Sequence, residues 1–65
     1  MEDIVNSLGK KVCTADSKSG IIEIRDRDRF IHIDFHTREV AITHRSHTTI
    51  VKMNGDGTKT IIQAP

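Results

Sequence analysis

The sequence predicts an α+β protein that is mainly β. A short N-terminal helix over residues 1–9 packs on a single antiparallel meander of about five strands spanning residues 21–63. Two observations carry this reading. From Ile21 onward apolar and polar residues alternate with the period of a half-buried strand. Turn signals interrupt that alternation at even spacing: around Arg27, at Thr37-Arg38, at Arg45-Ser46, and at Asn54-Gly55-Asp56-Gly57. With 65 residues the chain is one domain, 1–65, and a chain so short buries only about 60% of the surface its unfolded form exposes. A thin core of this kind leaves two solutions for the meander, an open sheet under a lid or a sheet curled toward a small barrel.

The helix is read from its ends. Glu2 and Asp3 suit the positive N-terminal end, Gly9 can take a left-handed stop, and Lys10 and Lys11 suit the negative end. Ile4, Val5 and Leu8 form a narrow apolar stripe that must lie on something, because two helical turns are not stable alone. Val12–Ala15 is a short edge strand, and Asp16-Ser17-Lys18-Ser19-Gly20 is a loop by composition.

The turns then set the register. A loop at 26–29 places Ile24 opposite Ile31 and Ile22 opposite Ile33. A turn centred on Thr37-Arg38 places Ile33 opposite Ile42 and Phe35 opposite Val40. A turn at Arg45-Ser46 pairs Val40 with Val51 and Glu39 with Lys52. A loop Gly55-Asp56-Gly57, with Gly57 left-handed, sets Val51 opposite Ile61. All four turns gather the same face: Ile22, Ile24, Ile31, Ile33, Phe35, Val40, Ile42, Val51, Met53 and Ile61. The helix is its expected lid. The other face is mixed, with Glu23, Arg25, His32, Asp34 and His36 among Ile21, Phe30, Ile50 and Ile62.

Composition narrows the function. Ten Lys and Arg against nine Asp and Glu give little long-range pull on nucleic acid or an anionic membrane. No apolar run approaches the ~20 residues of a membrane helix, and no signal peptide stands at the N-terminus. Cys13 is the only cysteine, so no disulfide forms within the chain, and a lone thiol favours a reducing, cytoplasmic setting.

His32-Ile33-Asp34-Phe35-His36 is the sharpest local pattern, since alternate residues of a strand share a face. Strand rise puts the first and last of these about 13 Å apart, too far for two ligands about 2 Å from one zinc ion. A site would need cross-strand help from Glu23, opposite His32, or Glu39, opposite His36. The expectation is therefore no metal and no cofactor, with the three side chains serving as polar contacts. His44 and His47 flank a turn and read as exposed loop residues. Arg25-Asp26-Arg27-Asp28-Arg29 alternates in sign, which weakens phosphate binding but leaves arginines suited to protein interfaces.

Nothing here assembles a nucleophile, a base and an oxyanion site, so no enzyme is expected. The leading expectation is a small cytoplasmic protein-binding module. It would be a regulator or inhibitor of the kind that phages and mobile elements encode. Its contact residues are Ile21, Glu23, Arg25, Arg27, Arg29, Phe30, His32, Asp34 and His36. A homodimer through the same mixed face is a variant of this reading. The alternative is a small nucleic-acid-binding barrel in which Arg25, Arg27, Arg29, Lys52 and Lys59 track a backbone, although single-strand binders usually stack bases on exposed aromatics and this chain offers only Phe30 there.

Overall fold

Seven antiparallel strands make up residues 1–64, the part of the chain that the computed structural model describes. They are β1 (Glu2–Val5), β2 (Lys11–Asp16), β3 (Ile21–Asp26), β4 (Arg29–Asp34), β5 (Glu39–His44), β6 (His47–Met53) and β7 (Lys59–Ala64). Their order in the sheet is their order in the chain. The sheet is open, because β1 pairs only with β2 and β7 only with β6. The protein is therefore all-β. The α+β reading, the five-strand count and the curled barrel are all corrected.

The expected helix at 1–9 is instead the first hairpin. Asn6 decides this: its Oδ1 accepts the Leu8 and Lys10 amides at 2.9 and 3.1 Å. The Asn6 amide donates to the Lys10 carbonyl and the Gly9 amide to the Asn6 carbonyl, with Gly9 at φ +77. Side-chain acceptance of nearby amides offers the backbone an alternative to a helix. The last hairpin repeats the backbone bonds, although the Asn54 side chain donates from Nδ2 to the Thr58 and Thr60 hydroxyls. There the Asn54 amide donates to the Thr58 carbonyl, the Gly57 amide to the Asn54 carbonyl, and Gly57 lies at φ +90. An Asn followed three residues later by a left-handed Gly thus closes both terminal hairpins. As a result β2, read as an edge strand, lies between β1 and β3. Leu8, expected to cap the apolar face, sits at a loop tip and is 80% exposed.

Register in the meander follows the turn chemistry. Ile24 lies opposite Ile31 and Ile22 opposite Ile33, Val40 opposite Val51 and Val51 opposite Ile61, as the sequence predicts. One pairing shifts by two residues: Ile33 faces Val40, and Ile31 faces Ile42. The cause is Asp34, whose Oδ1 accepts the amides of His36 at 2.9 Å and Thr37 at 3.3 Å, ending β4 and folding residues 35–38 into a loop. Phe35 is thereby taken out of the strand. A shift of two keeps every side chain on its own face.

The apolar face runs unbroken across the sheet. One row is Ala15, Ile22, Ile33, Val40, Val51 and Ile61; a second contains Ile24, Ile31, Ile42, Thr49 and Gln63. Nothing covers it. Among the described residues no side chain is buried, and the molecule measures 36 × 28 × 18 Å. No helix among them is long and apolar enough to cross a membrane.

Two predictions follow from the turns. Arg45 and Ser46 both hold positive φ, 53° and 67°, in the two-residue connection that prefers Asn-Gly. Left-handed backbone costs a non-glycine residue roughly 1–2 kcal/mol, so Arg45→Asn with Ser46→Gly should raise the melting midpoint by about 4–8 °C for each kcal/mol recovered. Asp56 accepts the Thr58 hydroxyl at 2.6 Å and its amide at 3.0 Å, and these bonds hold its carboxyl below the ordinary carboxylate range. A lowered folded pKa contributes stability above the unfolded value, and that stability is lost as pH falls through the folded one. Asp56→Asn should therefore be less stable than the parent near neutrality, and denaturant titrations should show the gap closing below about pH 4.

Candidate functional site

Strands β3 and β4 form the centre of the mixed face, and period-two geometry brings Ile21, Glu23, Arg25, Phe30, His32 and Asp34 onto it together. Glu23 and His32 are direct cross-strand partners, with Oε2 and Nδ1 3.0 Å apart and both side chains about one-third exposed. One register step along, Arg25 stacks its guanidinium carbon 4.7 Å from the centre of the Phe30 ring, a cation–π contact. Thr43 and Thr48 share a hydroxyl hydrogen bond of 3.1 Å beside Phe30. The row through Glu23 and His32 continues over Ala41, Ile50 and Ile62. The centre of the face is thus polar pairs and an aromatic, bordered by aliphatic residues.

Beside this centre, an open concavity of about 450 Å³ lies against Lys11, Thr14, Glu23, Arg25 and Phe30. The Arg25–Phe30 stack and Glu23 thus border this space together.

Three expected site residues lie elsewhere. Arg29 is opposite Asp26 and His44, and by register it points to the apolar side of the sheet. Arg27 occupies the turn itself, at φ 57°. His36 leaves the strand because the Asp34 carboxylate caps the loop after β4, and its imidazole lies on Gly20, within 2.9 Å of where a Cβ would stand there. Asp34 is on the mixed face but occupied as that cap. It faces Glu39, which was expected opposite His36. The three-residue cluster His32, Asp34 and His36 is therefore dispersed. Among the described residues no three His, Cys, Asp or Glu side chains converge as a metal site.

Sequence reasoning missed one cluster. Asp28 Oδ2 accepts from Arg45 Nε at 3.4 Å and lies 3.3 Å from His44 Nε2. In a strictly sequential meander, alternate turns fall at the same end of the sheet, so the Arg27-Asp28 and Arg45-Ser46 turns are neighbours. The even turn spacing contained that signal. All three side chains are well exposed, and such pairs contribute little stability. Their effect is to tie the arginine-rich turn to the next hairpin.

No protein-family model matches the chain, and no curated protein or solved structure is significantly similar to it. The functional reading rests on the geometry above.

Gly20 tests the seat of His36. At φ +69, with the imidazole against it, Gly20→Ala should destabilise by more than about 1 kcal/mol in urea titrations. Adding His36→Ala should recover only part of the loss, because it removes the collision and leaves the backbone strain.

Proposed function

We propose that this chain is a non-catalytic protein-binding module, a regulator or inhibitor, whose contact site is the mixed face of β3 and β4. The observation that carries this is the Arg25–Phe30 stack next to the Glu23–His32 pair, framed by Ile21, Ile50 and Ile62. Interface energy concentrates in aromatic and arginine anchors within a polar rim. Here the anchors stand in register on paired strands, not on a loop. The contact set is Ile21, Glu23, Arg25, Phe30, His32 and Asp34; Arg27, Arg29 and His36 drop out of it. A cytoplasmic location belongs to the same proposal, supported by the single thiol of Cys13.

The nucleic-acid alternative loses support from the same register. Arg25 and Lys52 lie on the mixed face, Arg29 and Lys59 on the apolar side, and Arg27 in a turn. Five cations divided in this way do not form one track along a phosphate backbone.

The test is affinity capture from a lysate of the source or its host, with and without nuclease. The Phe30→Ala, His32→Ala double variant and Lys59→Ala serve as comparisons. Expected is a discrete protein retained after nuclease, bound by the parent and by Lys59→Ala, and weakened at least about tenfold by the double variant. Equal retention by the double variant would place the contact elsewhere, and retention abolished by nuclease would reassign the module to nucleic acid.

A further inference from the structure

A sheet with one apolar face must bury that face against another layer, and the described residues supply none. The two central rows of the apolar face carry no charged residue from β2 to β7, and every large side chain in them is partly exposed. No folded single layer of this size retains a dry core, so the cover has to be present wherever the chain is. A second copy meets that condition at fixed stoichiometry, and many homodimers have no stable folded monomer.

Three features of the face fit a second copy. The sheet that carries it belongs to a molecule 36 by 28 Å across, broad enough for the roughly 800 Å² per partner of a standard interface. Its two central rows are uncharged, and the charged residues on the same side, Asp26, Arg29 and Lys59, lie exposed at the strand ends, so the rows can meet themselves without burying an unpaired charge. Its relief is also self-complementary in kind. Phe35, 62% exposed, stands between two apolar grooves of about 230 and 190 Å³. Ile33, Val40 and Met53 line one, and Ala15 and Ile22 the other. A projecting ring and vacant grooves on one surface are what a two-fold contact requires, since each copy offers both.

We propose that two copies of this chain pack apolar face to apolar face into a β-sandwich whose core lies entirely between the protomers, with Phe35 of each seated in an apolar groove of the other. The homodimer thus uses the face opposite to the one expected from sequence. The mixed faces stay outward, two per assembly, so this inference does not depend on the protein-binding reading and can stand or fall separately.

The experiment uses the full chain. Light scattering on a sizing column is expected to give twice the 7.3 kDa chain mass, with a melting midpoint that rises with protein concentration. In a mixture of isotope-labelled and unlabelled copies, intermolecular methyl contacts are expected at Ile22, Ile31, Ile33 and Ile42, and at the Phe35 ring. Phe35→Ala removes an exposed loop side chain, so the fold of each chain should persist while the dimer dissociation constant rises about tenfold or more. The proposal is overturned by a folded monomer with a concentration-independent melt, or by a particle of any other copy number. Intermolecular contacts confined to the β7 edge or the mixed face would also overturn it, as would an unchanged dissociation constant for Phe35→Ala. Loss of capture by the Phe30, His32 variant with the dimer intact would report on the outward face alone.

Discussion

Backbone pairing between strands adjacent in the chain is the interaction on which everything else in this molecule depends. Within the described residues of one chain there is no second layer, so each strand is held by the ladder to its neighbours and by the side chains directly across from it. The turns are therefore the parts that must be right. A loop one residue longer or shorter would send the Ile22–Ile33–Val40–Val51–Ile61 row to the opposite face. This explains why the chain tolerates left-handed backbone at Arg27, Arg45 and Ser46. Two-residue turns with the right twist require it, and the ladder on each side is extensive enough to hold it.

The same alternation that makes the ladder also divides the labour between faces. Odd and even positions of β3 and β4 differ in chemistry as sharply as two separate surfaces would. Ile22, Ile24, Ile31 and Ile33 are uniformly aliphatic. Glu23, Arg25, Phe30 and His32 are polar or aromatic and paired across the strands. A thin sheet thus carries two chemically distinct surfaces with only one backbone thickness between them.

Much of this was legible from residue order. The membership of the apolar face, three of the four meander pairings it implied, and the cross-strand meeting of Glu23 with His32 follow from period two and turn length. The N-terminal hairpin was not legible, because acidic residues, a glycine stop and following lysines mark a helix and a hairpin loop alike. Only the Asn6 side chain separates them, and its counterpart at Asn54 was readable because clear strands flanked it. Asp34 misled for a related reason. A carboxylate that caps its own loop looks the same in sequence as one that points from a strand, and with it went the placement of Phe35 and His36. The neighbourhood of Asp28, His44 and Arg45 depends on topology, which pairwise reading of hairpins does not reach.

Strictly sequential strand order has a kinetic and mechanical meaning as well. A sheet in which strand n meets only strands n−1 and n+1 behaves as a one-dimensional array, with stability close to a sum of nearest-neighbour couplings. Strands meet only their neighbours in the chain, so each closure spans a short loop, and β proteins with such contacts fold faster than sandwiches built from distant strands. Any hairpin can serve as the seed from which the ladder grows in both directions. Opening, by the same logic, starts from the free edges: β1, four residues long, and β7, exposed throughout, unzip before the strands between them.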